Sequence, residues 1–281
     1  MPLSVISTQE IVARIGSTSG LTEVVGNHIY YEVAGNGLPI VFLHDGLLHS
    51  LVFDAQFETF SKNYTVIRYD RPGYGNSKPP SVSYSEVETL KGLFDFLGLR
   101  EAVLIGGSAG GRLAIDFSIA YPDHVGALIL VGAETRGVEF DALGEYRRAR
   151  NHWGEETIEQ FIEFWAHDQW LIAEENQSAR ARLHQMLTAS PQNLMDFPVE
   201  ILDNAKALTH LSEIQVPTLV MVGEFDIADN HAHSGVIQIS IKNSEWQVVT
   251  HSGHLIYLEQ PDKFNQLVIE FLNRRVNKTP A

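Results

Sequence analysis

The stretch "VLIGGSAGGRLA", residues 103–114, constrains this chain more than any other. Gly106, Gly107, Gly110 and Gly111 surround Ser108, with an apolar run before them and a helical pattern after. Glycine is costly inside a strand or helix because it gives up the most backbone freedom. Four of them at one junction suit a strand that turns sharply into a helix. Gly two before and two after Ser108 relieves crowding at the corner, and the hydroxyl then projects above the sheet edge. Gly106-Gly107-Ser108-Ala109-Gly110 fits G-x-S-x-G, the elbow that presents a nucleophilic serine between a strand and a helix. Gly-Ser loops are common, so the flanking elements carry the reading.

The rest of the chain supplies such a frame. "HIYYEVAG" and "PIVFLHDG", separated by the turn "NGLP", read as strands, as do "YTVIRYD", "AVLIG", "GALILVGA", "PTLVMVGEFD" and "EWQVVTHSG". "YSEVETLKGLFDFLGL", "AGGRLAIDFSIAYP" and "PDKFNQLVIEFLNRR" read as helices, the last opened by proline. This α/β alternation predicts a mostly parallel central sheet with helices on both faces. Working residues in such sheets gather at the carboxyl ends of the strands. Residues 138–208 break the pattern: they are helical and aromatic-rich, with no evident strand. They read as a small cap on a core made of 1–137 and 209–281. Trp153, Trp165 and Trp170 lie there with Phe161 and Phe164. Aromatics at helical spacing mostly pack, yet some must face the cavity above Ser108.

A serine hydroxyl needs a base, and the base needs an orienting carboxylate. "VVTHSGHLIYLEQP" offers two histidines after the last strand. His254 follows Gly253 and opens a helix-like segment, so its ring reaches back over the sheet edge; His251 reads as a loop histidine. Asp226, in "LVMVGEFDIAD", follows the end of an earlier strand. Asp229 is a nearby rival for the acid, Glu224 a weaker one and Glu134 a more distant one.

Composition narrows the chemistry further. No cysteine is present, which excludes disulfides, thiolate metal sites and a cysteine nucleophile. The formal charge of −15 speaks against a nucleic-acid partner, because phosphate binding needs clustered Lys and Arg. His231 and His233 in "NHAHS" lack a third ligand and read as loop histidines, so no metal is expected. "GGSAGG" has neither dinucleotide spacing nor a phosphate-loop lysine, so no cofactor is expected. No apolar run approaches the ~20 residues that span a bilayer, and the start lacks a signal-peptide pattern. A cytoplasmic chain without membrane contact is the expectation; the residues carry no signal for oligomeric state.

Four motifs, "FLHDG", "YDRPGYGNS", "GGSAGG" and the pair "GEFD" and "SGH", occur in order. With them, residues from about 25 to 275 resemble the α/β-hydrolase superfamily, specifically serine-nucleophile members with a helical cap inserted after strand six. The chain order Ser, Asp, His agrees with that family. The resemblance implies catalytic Ser108, Asp226 and His254, with oxyanion-hole N–H groups from Gly46 and Ala109. It makes His44 a structural member of its loop and Asp70 and Arg71 architectural. Asp45 stands where the family usually has glycine, and its charge suits a developing oxyanion only if it points away or is paired. The pocket is expected to be apolar, with His49 and Glu134 at its edge and Trp165 among its walls. The implied activity is cofactor-free hydrolysis of a small, largely apolar ester or lactone through an acyl-enzyme. A carbon–carbon bond hydrolase or an aminopeptidase on the same triad is an alternative. A ligand receptor with a retained but very slow triad is an alternative of another class. Serine at the elbow disfavours haloalkane dehalogenases and epoxide hydrolases, which place aspartate there.

Overall fold

The computed structural model describes residues 6–16, 18–137, 157–194 and 207–276. Its sheet contains β1 (Ile6–Ser7), β2 (Ser19–Val24), β3 (Asn27–Gly37), β4 (Pro39–Leu43) and β5 (Thr65–Tyr69). β6 (Ala102–Gly107), β7 (Val125–Val131), β8 (Thr218–Gly223) and β9 (Ser244–Val249) complete it. The spatial order is β1-β3-β5-β4-β6-β7-β8-β9, with β2 also on β3. From β5 through β9 all pairings are parallel, while β3 is antiparallel to β1, β2 and β5. The expected mostly parallel α/β sheet is therefore present.

β4, β6 and β7 are covered on both faces, which is why they read as nearly unbroken apolar runs. Ile40, Phe42, Val103, Ile105, Ile129 and Val131 point to one side. They pack with α2 (Asp54–Phe60) and the C-terminal helix Pro261–Arg275. Val41, Leu43, Leu104, Leu128 and Leu130 point to the other side. There they meet α1 (Thr8–Ile15), α3 (Glu86–Leu97) and α4 (Ala109–Ala120). Two cores, one per face, hold the sheet edge steady where the loops emerge.

Two sequence expectations change. "NGLP" is not a simple turn: β3 runs on through Asn36 and Gly37, which pair with Ser7 and Ile6. A short N-terminal strand with no periodicity of its own occupies that edge. It also raises the strand count, so the family's sixth strand is β7 here. The segment holding His231 and His233 is no loop but the helix Ala228–Ser240, with His233 buried. Among the described residues, two α-helices, α5 (Ile158–Ala166) and α6 (Gln177–Ala189), fall between β7 and β8. α5 begins on a capping box from Thr157 and Gln160. Trp153 lies outside the described residues, as do 138–156 and 195–206 of the expected cap. Among the described residues no helix is long and apolar enough to cross a membrane.

Candidate active site

Ser108 sits between the end of β6 and the start of α4 with φ 50° and ψ −116°. A side chain at positive φ is strained, and such strain persists only where the surroundings over-determine it. Here the Ser108 N–H donates to Val131 O at 2.8 Å, and Ser108 O accepts from Arg112 N at 3.0 Å. The flanking glycines are explained by contact. A Cβ on Gly106 would stand 2.4 Å from Gly110 O, and one on Gly110 only 2.0 Å from Leu43 O. β4, β6 and the first turn of α4 therefore touch backbone to backbone. Ser108 remains partly exposed.

His254 and Asp226 arrive from the ends of β9 and β8. His254 Nδ1 lies 2.8 Å from Asp226 Oδ2. A carboxylate can only accept, so Nδ1 carries the proton and Nε2 is left as the basic atom. The side chains are 11% and 1% exposed, respectively. The other oxygen, Asp226 Oδ1, accepts from Ile227 N at 2.8 Å and Asn230 Nδ2 at 2.7 Å. Asn230 Nδ2 also stands 2.9 Å from His254 Nδ1; two donors meet there, so its bonding partner is Asp226. Burial pushes the imidazole pKa down, but the charge and hydrogen bond of Asp226 outweigh it, aided by Asp45 and Glu134. The pKa is held up at about 9.

The loop "FLHDG" lies against the start of α4. A Cβ on Gly46 would stand 3.5 Å from the Cβ of Ala109. Ala109 is the first residue of α4, where N–H groups lack an intrahelical acceptor. Asp45 is buried and fully engaged. Its Oδ1 accepts from Leu47 N and Leu48 N, both at 2.8 Å, and its Oδ2 from the Tyr257 hydroxyl at 3.0 Å. Its carboxylate is thus satisfied by three hydrogen bonds from neutral donors. His44 Nε2 accepts from Arg71 N at 2.9 Å, while its Nδ1 lies 2.8 Å from Asp45 O. Burial holds His44 well below its ordinary pKa, so it is a neutral strut. Arg71 donates to Asp45 O and to Glu86, each at 2.7 Å; Asp70 accepts from Ser50 N and Asn76 N. Both side chains thus bond to the backbone or side chains of neighbouring loops and helix α3.

A cavity of about 110 Å³ opens above Ser108, with His254, Asp226, Asp45, Gly46 and Glu134 on its polar side. Leu47, Trp165, Trp170, Leu171, Ile227 and Leu255 supply apolar wall. Glu134 and Trp165 both line this cavity. His49 does not. It precedes the 3-10 turn Ser50–Phe53, which carries its ring under the loop, 3.8 Å from Asp70. Phe161 packs inside the helical segment and Phe164 faces outward. Of the rival acids, Asp229 is buried in the helix after Asp226 and Glu224 accepts from His251 N at 2.9 Å. Sequence reasoning passed over Asn230 and Tyr257. The first had a signal, four residues beyond Asp226 on a helix; the second acts across 212 positions and had none.

Comparison with known proteins joins this geometry to a family. Residues 40–267 match the model of the alpha/beta hydrolase family. The chain belongs to the α/β-hydrolase family. It is similar to a Comamonas testosteroni protein named 2-hydroxy-6-oxo-6-phenylhexa-2,4-dienoate hydrolase. That protein is 29% identical over 88% of this chain and 92% of its own length. A solved α/β structure described as Est816, an N-acyl homoserine lactone degrading enzyme, is 27% identical with TM-score 0.74. The match covers 90% of this chain and all of that one. A thermophilic esterase from Thermogutta terrifontis is 26% identical with TM-score 0.75, over 92% of this chain and 99% of that one. This α/β-hydrolase is thus a hydrolytic enzyme whose relatives act on small molecules.

Proposed function

We propose that this α/β-hydrolase is a cofactor-free serine hydrolase of a small, largely apolar ester or lactone. The observation that carries the reading is the Asp226–His254 pair opening onto the same small cavity as a strained Ser108. Ser108 Oγ attacks the substrate carbonyl while His254 Nε2 takes its proton. The Gly46 and Ala109 N–H groups receive the developing oxyanion, a contribution of a few kcal/mol in comparable sites (about 3 per donor). His254 passes the proton to the leaving group, and water activated by the same imidazole releases the acyl group. Asp226 holds the tautomer and stabilises the imidazolium.

The cavity supports the substrate class. One part of its wall is apolar, and its described charged residues are carboxylates and the imidazole. That lining favours an uncharged group over one bearing its own carboxylate. The division into a core of 1–137 and 209–281 and a cap of 138–208 belongs to the same proposal. It is supported by Trp165 on α5 and by Trp170 and Leu171 in the following loop, which form part of the cavity wall.

A second reading, hydrolysis of a carbon–carbon bond beside a ketone, is favoured by the Comamonas relative across nearly the whole chain. The two separate in one experiment. Neutral activated esters and lactones are assayed beside a 2-hydroxy-6-oxo-dienoate, with Ser108→Ala as control. Ester or lactone turnover with an acyl burst, lost by roughly 10³-fold or more in Ser108→Ala, supports the first reading. Preferred turnover of the dienoate supports the second. Unchanged activity in Ser108→Ala removes both.

A further inference from the structure

The loop that carries His254 is not held by the sheet alone. The segment between α5 and α6 lies directly on it. His254 N donates to Trp170 O at 2.7 Å and Leu255 N to Leu171 O at 3.1 Å. Contact is close enough that a Cβ on Gly253 would stand 2.6 Å from Trp170 O. One buried carboxylate joins the two segments from below. Glu259 Oε1 accepts from Ala173 N at 2.6 Å, and Oε2 accepts from Ser252 Oγ at 2.9 Å and Gly253 N at 2.6 Å. Its own carbonyl accepts from Asn176 Nδ2 at 2.9 Å. On the far side Arg180 donates to the carbonyls of Ala166, Asp168 and Ile172, so the segment is gripped from both ends.

We propose that Glu259 is a positioning residue that locks segment 170–173 onto loop 252–255. It thereby fixes the backbone from which His254 reaches Asp226. The inference rests on the reading of His254 as the base. Three donors from two chain segments converge on one carboxylate that is 7% exposed, and a carboxylate is the one side chain that accepts from all of them. Trp170 and Leu171 are also cavity wall. Base and wall therefore move as one unit, and any displacement of segment 170–173 is felt at the imidazole.

Glu259→Gln tests this, because it keeps the shape but turns an amide NH₂ toward N–H donors. The readout is the rate at which a fluorophosphonate labels the protein, followed from pH 6 to 10, which needs no knowledge of the natural substrate. The groups facing His254 are Asp226, Asn230, Asp45 and Glu134; those facing Glu259 are Ser252, Gly253, Ala173 and, at longer range, Glu175. Glu259→Gln is expected to label ~10-fold or more slowly, with the ascending limb displaced to lower pH as the Asp226 contact loosens. Ser252→Ala, which deletes a single bond, is expected to shift both in the same direction by less. The exposed neighbour change Glu175→Gln is expected to leave both unchanged. A folded Glu259→Gln or Ser252→Ala protein with wild-type labelling rate and pH limb overturns the inference. A wild-type protein that does not label at all overturns instead the reading of Ser108.

Discussion

At the scale of single residues, the site works by letting one carboxylate decide the state of one imidazole. Burial alone would hold His254 below its ordinary value; Asp226 reverses the sign and keeps it up at about 9. His254 is therefore largely protonated at neutral pH, and with His254 as the proposed base kcat/KM is expected to rise through the alkaline range towards about 9. Asp226→Asn removes the charge and leaves the burial. Its ascending limb should move to lower pH while its maximum rate falls, measured as a pH–kcat/KM profile. An unmoved limb would separate the two residues. Ser108 was legible because its backbone strain must be compensated by neighbours that lack side chains. His49 was misplaced because nearness in sequence to "FLHDG" says nothing about a 3-10 turn that carries the ring beneath the loop. Tyr257 was invisible for the opposite reason, since it closes on Asp45 through folding of the whole chain.

Among elements, the corner of β4, β6 and α4 shows tertiary contact overriding local preference. By helix propensity, Gly110→Ala would stabilise α4 by about 1 kcal/mol. The backbone of Leu43 stands where that Cβ would go, so α4 must move off the strand that leads to Gly46. Gly110→Ala is expected to destabilise by about 1–3 kcal/mol in denaturant titration and to lose activity beyond its loss of stability. Behind the same loop, Arg71 and Glu86 form an ion pair at 2.7 Å with side chains 3% and 5% exposed. Arg71→Ala leaves Glu86 buried and unpaired, and should cost about 3–5 kcal/mol. A cost under about 1 kcal/mol would show the pair to be dispensable. Sheet strands and long amphipathic helices were legible because two-sided burial and helical spacing mark the sequence directly. The strand Ile6–Ser7 was not, because two residues carry no period. The helix Ala228–Ser240 was missed because polar "ADNHAHS" hides a one-sided contact through Ile237.

For the molecule as a whole, the proposed role of His254 sets activity and stability against each other through the same proton. The folded-state pKa of His254 lies above the ordinary 6.5, so folding favours its charged form. That contribution is complete below about pH 6.5 and is lost as pH rises through about 9. Tm is expected to fall across this window while kcat/KM climbs, and Asp226→Asn should flatten the fall. A Tm that rises with pH there, with no difference between wild type and Asp226→Asn, would contradict the assignment of the pair. The family and its layered sheet were legible because motif order is a property of the chain. Substrate identity was not, since it depends on side chains from distant parts of the chain that meet only in the folded cavity. The most direct measurement is rapid quenching of the enzyme with an activated ester, followed by mass mapping of the protein. One acyl adduct on the peptide containing Ser108, absent in Ser108→Ala, is the predicted result; turnover with no adduct, or with the adduct on another residue, would contradict it.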